Sequence, residues 1–173
     1  MIYFTSDLHL NHHNIIRYCD RPFNSTEEMN SCLLNNWNEK VSHNDKVYHL
    51  GDFCMTRDNN AYNDAVGMVK GKVVFLRGNH DECLKHANYY IYHCIKGIKI
   101  FMRHWTPWQR PHRKYLHSFE IPFNVDVILC GHVHNKWKIR EYKMEERTIP
   151  VINVSTDVWD YKPISLNQIM ATI

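Results

Sequence analysis

The chain contains 173 residues, of which 44% are hydrophobic and 23% are charged, and its formal net charge is +3. This composition excludes intrinsically disordered and fibrous proteins, and so small a net charge does not by itself indicate a nucleic-acid-binding protein. A chain of this length can bury most of its apolar surface in one core, so a single domain over residues 1–173 is expected.

Five short apolar runs, each followed by a polar cluster, predict five β-strands. They cover residues 2–5, 46–50, 73–76, 98–102 and 127–130. The runs are apolar on both faces, which is typical of strands that are covered on each side. We therefore expect these strands in the interior of the fold.

Two helices are predicted between the first three strands. Ser25 and Glu28 form a capping-box pattern, and an apolar stripe follows them. The stripe consists of Met29, Leu33, Leu34, Trp37 and Val41. A second helical stretch over residues 61–69 is followed by Gly71, a residue type common after helices. Alternating strands and helices indicate right-handed crossovers and a largely parallel sheet.

The second half of the chain shows strands joined by short connections. Residues 136–142 and 148–154 predict two strands on either side of a Glu-Glu turn, which favours mixed or antiparallel pairing. The chain has neither an internal repeat nor a linker-like composition. The predicted fold is therefore a single α/β domain, a two-sheet sandwich flanked by helices.

The six cysteines are widely spaced, without a C-x-x-C pair that would indicate a zinc ribbon or a thioredoxin-like site. We expect reduced thiols in a cytoplasmic protein. The sequence starts without the charged and long apolar segments of a secretory signal. No run approaches the roughly 18 apolar residues of a membrane span, so no membrane association is expected.

Residue types that can bind a metal follow each of the five predicted strands. They are Asp7 and His9, then Asp52, then Asn79 and His80, then His104, then His132 and His134. The carboxyl ends of strands in an open α/β fold meet at one edge, where ligands bind. Residues two apart in a strand share a side, so Asp7 with His9, and His132 with His134, are expected to face one site.

The donor types also indicate the metal. Carboxylate, imidazole and amide donors together suit Mn, Fe or Zn better than Ca or Mg. More donors are available than one tetrahedral site uses, which favours two metal ions. The sequence thus predicts two divalent ions per chain, with Mn as the first choice and Fe or Zn as alternatives.

The ordered motifs D-x-H, G-D, G-N-H-D, H and G-H-x-H resemble those of the calcineurin-like metallophosphoesterases. The resemblance extends from Asp7 to His134 and is greatest to small cap-less prokaryotic or phage members, which implies the metallophosphoesterase-type sandwich. It implies one metal held by Asp7, His9 and His134, and a second held by Asn79, His104 and His132. Asp52 would bridge both metals.

The resemblance also implies a catalytic pair. His80 corresponds to the group that contacts the phosphate and protonates the leaving oxygen, and Asp81 would orient its imidazole. Arg103 stands where relatives often have a small residue. It either points inward and binds substrate phosphate, or lies at the protein surface. Trp105, Trp108 and Arg110 are candidates for a stacking platform, or else the two tryptophans pack a loop against the domain. Asn11 and Arg77 are candidates for supporting the ligands or contacting substrate.

Positive charge is concentrated in residues 99–147, which carry ten Lys and Arg against five Asp and Glu. This excess indicates either an ordinary solvated surface or a basic rim that attracts a phosphate-bearing substrate.

The leading functional hypothesis is a phosphodiesterase that hydrolyses a nucleotide-like or other small diester by attack of a metal-bridging hydroxide. The alternatives are a phosphomonoesterase or protein phosphatase, a nuclease acting on nucleic acid, and a non-catalytic scaffold. The scaffold is disfavoured because all seven expected ligands and His80 are present.

Overall fold

Two β-sheets form the centre of the fold in the computed structural model, which describes residues 1–109 and 120–173. The strands are β1 (Ile2–Thr5), β2 (Lys46–His49), β3 (Lys72–Phe75), β4 (Tyr90–Ile95), β5 (Ile98–Arg103), β6 (Val127–Cys130), β7 (Ile139–Met144), β8 (Arg147–Asn153) and β9 (Ile164–Ser165). The helices are α1 (His13–Tyr18), α2 (Thr26–Lys40), α3 (Asn59–Gly67) and α4 (Leu166–Met170), and a short 3-10 helix covers Thr156–Val158.

The first sheet has the strand order β3-β2-β1-β9. Strands β1, β2 and β3 are parallel, and β9 pairs antiparallel with β1. Helix α2 connects β1 to β2 and α3 connects β2 to β3, which confirms the predicted alternation. Strand β9 and helices α1 and α4 are too short to leave a clear periodicity, and the sequence pattern did not predict them.

The second sheet has the strand order β4-β5-β6-β8-β7. Its three inner strands are parallel, whereas β4 and β7 pair antiparallel with their neighbours. The predicted mixed pairing is confirmed, and Glu145 and Glu146 form the turn between β7 and β8. Strand β7 begins at Ile139, later than predicted, because Asn153 Nδ2 donates to the carbonyl oxygens of His134 and Trp137, each at 2.7 Å, and holds that segment as a loop.

Hydrophobic clusters pack the two sheets against each other and the helices against the sheets. The cluster between the two sheets takes side chains from both of them, including Phe4, Leu129 and Ile152. On the outer face of the first sheet, Tyr3 belongs to a second cluster with Trp37 of α2. The neighbours Tyr3 and Phe4 enter different clusters because successive strand side chains point to opposite faces. The sandwich of two sheets with flanking helices is therefore as predicted.

Local caps set the ends of the helices. Ser25 Oγ accepts from Glu28 N at 3.1 Å, but the Glu28 carboxylate accepts from Asn24 N at 2.7 Å, one residue earlier than in a capping box. Helix α3 begins before residue 61 because Asp58 caps it, accepting from Asn60 N at 2.8 Å. Within residues 1–109 and 120–173, every helix is too short or too polar to cross a membrane.

Candidate metal centre

The predicted metal-binding side chains meet at the carboxyl-end edge of the two sheets. They form two groups whose ligand atoms lie within 4.8 Å of one another. The first group is Asp7, His9 and His134, and the second is Asp52, His104 and His132. The first group joins residues 7 and 9 with residue 134, and the second joins residue 52 with residues 104 and 132. Because these residues are far apart in sequence, the fold is needed to assemble the site.

Asp52 connects the two groups. Its Oδ2 atom lies 3.5 Å from His9 Nε2 and 3.3 Å from His104 Nε2. Asn79 joins the second group, since its Oδ1 lies 3.0 Å from His104 Nε2. In the first group, Asp7 Oδ1 lies 3.9 Å from His9 Nε2 and 4.0 Å from His134 Nε2. The structure thus brings together all seven side chains that the motifs singled out.

Five of these residues have a left-handed backbone. Their φ angles lie between 48° and 69°, at Asp7, His9, Asp52, His132 and His134. Asp7 with His9, and His132 with His134, do face the site as expected, but strand alternation is not the cause, because β1 ends at Thr5 and β6 ends at Cys130. A left-handed non-glycine residue costs on the order of 1 kcal/mol or more, and such strain is concentrated at functional sites.

Hydrogen bonds between loops maintain this unusual backbone. Asp7 N donates to Gly51 O and His9 N donates to Asp52 O, each at 3.0 Å, so the loops after β1 and β2 run side by side. Gly51 has φ +98°, and a Cβ there would lie 2.6 Å from the backbone nitrogen of Gly78. Only glycine therefore allows the approach that places Asp52.

The donor set and its environment fit a divalent metal. His9 Nε2 is buried and has no hydrogen-bond partner among the described residues, although it points toward the carboxylates of Asp52 and Asp7. Burial holds the pKa of His9 well below its usual range, so its ring is neutral, as a ligand must be. An orphaned buried nitrogen beside two carboxylates is the arrangement expected of a metal ligand.

Strong electrostatic coupling links Asp52 to His104. Burial acts to raise the pKa of Asp52, but the charge and hydrogen bond of His104 hold it below its ordinary value. Burial acts to lower the pKa of His104, and the charge and hydrogen bond of Asp52 raise it to about 9. Burial and the charge of His104 lower the pKa of His132 to about 4. The buried Asp52 carboxylate is therefore paired with a protonated His104 ring, while the His132 ring is neutral. A cation bound here would replace the proton on His104.

A buried ion pair lies behind the first group and was missed by the sequence analysis. Asp157 Oδ2 lies 3.0 Å from His134 Nδ1, and Arg21 pairs with Asp157 through Nε at 2.8 Å and Nη2 at 3.1 Å. Arg21 also donates to the carbonyl oxygens of Leu8 at 2.9 Å and Asp7 at 2.7 Å. One guanidinium thus ties together the segments that carry the first group.

Asp81 does not have the predicted role. Its carboxylate accepts hydrogen bonds from the backbone nitrogens of Asp52 at 2.6 Å, Gly78 at 2.8 Å and Phe53 at 3.0 Å. Because these three bonds occupy both oxygens, Asp81 fixes the loop that carries Asp52, and no bond from it to the His80 ring is found in residues 1–109 or 120–173. The resemblance implied a contact between Asp81 and the His80 ring, and the hydrogen bonds of Asp81 go to backbone nitrogens instead.

His80 lies at the centre of the candidate site. Its backbone nitrogen donates to Asp52 Oδ1 at 2.8 Å, and its ring centroid is 5.3 Å from that of His9. His80 also lines two cavities. One of about 420 Å³ is lined by Met55, Thr56, Arg57, Asn79, His80 and Glu82. The other, of about 360 Å³, is lined by His9, His12, Ile15, Tyr18, Cys19, His80, His134, Asn135 and Lys136.

Asn11 and Arg77 serve the loops around the site. Asn11 Nδ2 lies 3.6 Å from Cys54 Sγ and its Oδ1 accepts from Asn30 Nδ2 at 2.7 Å, which ties its loop to helix α2. Arg77 Nη1 donates to the Tyr89 hydroxyl at 3.1 Å. Neither residue lines the two cavities beside His80, which argues against substrate contact.

The expectations for the segment after β5 require correction. Arg103 is 3% exposed, Nη2 lies 3.4 Å from Gln109 O, and burial lowers its pKa to about 10. Trp105 is 5% exposed, and its ring packs edge-on at 5.2 Å from that of His104. Burial excludes the surface role of Arg103 and leaves Trp105 packed in the fold rather than available for stacking. Trp108 is exposed and its ring lies 6.0 Å from that of Trp137. Arg110 lies outside the described residues.

A model of the calcineurin-like phosphoesterase superfamily domain matches residues 1–154. The chain belongs to the calcineurin-like phosphoesterase superfamily. This confirms the resemblance seen in the motifs, and it identifies the two-sheet fold as that of the calcineurin-like phosphoesterases. The superfamily uses divalent metals, in agreement with the two ligand groups.

The chain is also similar to two proteins without an assigned function. The uncharacterized protein MJ1445 of Methanocaldococcus jannaschii is 36% identical over 173 residues, which cover 99% of this chain and 90% of that protein. The solved structure of AQ665 from Aquifex aeolicus, a protein of unknown function, has a TM-score of 0.73 and 28% identity, covering 100% of this chain and 99% of that one. The first is an uncharacterized protein and the second is a protein of unknown function, so neither indicates a substrate, which has to be argued from the site.

Proposed function

We propose that the protein is a binuclear metal-dependent phosphoesterase whose substrates are phosphodiesters. The observation that carries the binuclear proposal is the position of Asp52 Oδ2, 3.5 Å from His9 Nε2 and 3.3 Å from His104 Nε2. One carboxylate in contact with two ligand groups is what two neighbouring metals require. Asp52 would be shared between the metals.

The other ligands divide between the two metals. Asp7, His9 and His134 would hold one, and Asn79, His104 and His132 would hold the other. This mixed set suits Mn, with Fe or Zn as alternatives. When bound, two such ions supply an activated water and neutralise charge on the phosphoryl oxygens.

His80 is proposed as the residue that contacts the phosphate and gives a proton to the leaving oxygen. The hydrogen bond from its backbone nitrogen to Asp52 Oδ1, at 2.8 Å, keeps the residue beside the shared ligand. Its ring lies next to the ring of His9 and borders both cavities. A positioned acid at this point can reach an ester oxygen that enters either cavity.

The two cavities favour a diester over a monoester. A phosphodiester carries two organic arms on one phosphorus atom, and His80 stands between a cavity of about 420 Å³ and one of about 360 Å³. Each arm therefore has its own space, whereas a monoester fills only one. We propose a small phosphate ester, including nucleotide-like diesters, as the partner.

The test combines metal analysis with a comparison of two chromogenic esters. Protein reconstituted separately with Mn, Fe and Zn is expected to bind two ions per chain and to hydrolyse bis-p-nitrophenyl phosphate faster than p-nitrophenyl phosphate. A preference for the monoester would support a phosphomonoesterase instead. Two bound metals without turnover of either ester would support a non-catalytic role, and one ion at saturating metal would contradict the shared Asp52.

A further inference from the structure

A row of rings leads from the candidate metal ligands to the protein surface. The ring of His12 lies 5.2 Å from that of His9 and 5.8 Å from that of His80, measured between centroids. The ring of Tyr18 lies 6.3 Å from that of His12 and meets it edge-on, at 77°. All four rings line the 360 Å³ cavity, so one wall of this cavity is formed by aromatic rings.

Tyr18 stands at the outer end of this row. It is 64% exposed, whereas Ile15 on the same helix is 3% exposed and lines the cavity with it. The guanidinium carbon of Arg17 lies 5.6 Å from the centre of the Tyr18 ring. Because Tyr18 lines the cavity and is exposed, its ring is accessible to a molecule that enters from solvent. An aromatic ring of this kind offers a flat apolar face for stacking.

The charge in this cavity favours an anion. Lys136 lines it, and none of its described lining residues is acidic. The cavity on the other side of His80 differs, since Glu82 lines it and pairs with Arg57 at 2.9 Å. The 360 Å³ cavity therefore suits an anionic arm of a diester better than the 420 Å³ cavity does.

We infer that the cavity between His12 and Tyr18 receives a planar ring carried by the phosphate ester, as in a nucleoside phosphate. The inference rests on the proposed function, because it places the phosphate at the metal ligands and His80. The planar group would stack on Tyr18, as bases stack on aromatic side chains without hydrogen-bond readout. Lys136 would attract the negative charge of the same molecule.

The test measures binding by calorimetry on Mn-reconstituted protein, which does not require turnover. Adenosine 5′-monophosphate is compared with ribose 5-phosphate, which keeps the sugar and phosphate but lacks the base. The parent protein is expected to bind the nucleotide about tenfold more tightly, because stacking of a base on an aromatic side chain adds affinity of this order. In Tyr18→Ala the two dissociation constants should become equal, and in Tyr18→Phe the difference should remain.

Inorganic phosphate and Tyr92→Ala provide the controls. Phosphate should bind Tyr18→Ala as it binds the parent, because its site is made by the ligands and His80. Tyr92 is an exposed tyrosine on β4 whose hydroxyl donates to Asn124 at 2.7 Å, and its replacement should leave the nucleotide preference unchanged. Weaker phosphate binding to Tyr18→Ala would show a general disturbance and overturn the assignment of Tyr18 to the planar arm.

Failure of this inference differs from failure of the proposed function. A nucleotide preference that survives in Tyr18→Ala, or that is absent from the parent, overturns the planar-arm site even when diesters are hydrolysed. A preference that depends on Tyr18 in a protein that hydrolyses neither chromogenic ester would retain the binding site and overturn the proposed activity.

Discussion

The Nδ1 atom of His134 lies 3.0 Å from a carboxylate oxygen of Asp157. This contact leaves Nε2 of His134 facing Asp7, which is the orientation that a ligand histidine needs. Burial acts to lower the pKa of His134, but the charge of Asp7 and the hydrogen bond to Asp157 raise it to about 11. Arg21 pairs with the same carboxylate, so His134, Asp157 and Arg21 form one buried network behind the site.

Asp157→Asn should weaken one metal selectively. The substitution removes the charge that holds His134 and pairs with Arg21, while the second ligand group has no contact with Asp157 among the described residues. We expect a loss of about 10–100-fold in the affinity of one of two metals. Calorimetric metal titration with elemental analysis measures this. Asp160→Asn, the same change at an exposed neighbour, is the matched control, and equal weakening of both metals would contradict the assignment.

Asp52→Ala and His9→Ala should differ in how many metals they lose. Asp52 Oδ2 is in reach of both groups, whereas His9 belongs to the first one. We therefore expect Asp52→Ala to approach zero bound ions and His9→Ala to retain about one under the same conditions. Elemental analysis after gel filtration distinguishes them. If the two variants keep the same metal content, Asp52 is not shared.

The candidate site could be predicted because each proposed ligand follows an apolar run whose local pattern indicates a strand. Strand β6 has the predicted bounds, and His132 and His134 come directly after it. Asp157 could not be found this way, since a lone Asp after a strand usually marks a turn. Its contact with His134 depends on β8 lying next to β6, a long-range pairing that carries no local signal.

Asp81 shows a second limit of sequence reasoning. Its three partners are backbone nitrogens of Asp52, Phe53 and Gly78, which come from two different loops and meet only in the folded chain. Backbone groups are the same at every position, so no pattern of side chains predicts such bonds. The left-handed angles of Asp7 and His9 escape prediction for a related reason, because tertiary hydrogen bonds impose them against local preference.

Asp81→Asn should destabilise the fold and weaken metal binding. One Oδ2 atom accepts from both Asp52 N and Gly78 N, so an amide must turn its NH₂ toward at least one backbone donor. We expect a loss of about 1–3 kcal/mol in the free energy of unfolding. Urea titration measures it. Asp126→Asn is the control, since Asp126 accepts one backbone bond from Lys99 N at 2.8 Å on the exposed surface.

A role of Asp81 in orienting His80 predicts a different result. In that case Asp81→Asn would keep its stability and its metals, and would lose turnover alone. Such an outcome would contradict the loop-fixing role that its three hydrogen bonds indicate.

His49→Phe should make stability less sensitive to acid. His49 is fully buried, neither ring nitrogen has a partner among the described residues, and burial lowers its pKa to about 3. The unfolded chain protonates this residue near pH 6.5, so between about pH 6.5 and 3 the unfolded state binds more protons. Stability therefore falls as pH falls through this window, by up to about 1.4 kcal/mol per pH unit.

Urea unfolding of metal-free protein at several pH values between about 6.5 and 5 measures this slope. The parent should lose stability faster than His49→Phe as the pH falls, whereas above pH 7 the two slopes should agree. Identical slopes below pH 6.5 would show that His49 is protonated in the folded protein. Phenylalanine is a suitable replacement because the ring already packs among Trp37, Phe53 and Phe75.

His80→Ala should separate chemistry from metal binding. The proposed ligands lie on other residues, so both metals should remain, while turnover should fall by about 10²- to 10⁴-fold. The loss should be smaller for p-nitrophenyl esters than for alkyl esters, because a stable phenolate leaves with less need of a proton. Steady-state rates across a series of leaving groups, each with metal content measured, give this comparison.

His86→Ala is the matched control, since His86 is an exposed histidine in the same connection between β3 and β4. It should leave rate and metal content unchanged. Equal losses across all leaving groups in His80→Ala would assign the residue to phosphate binding, because a group that only holds the phosphate affects every ester alike. Unchanged activity would remove His80 from the mechanism, and the space between the two cavities would then need another proton donor.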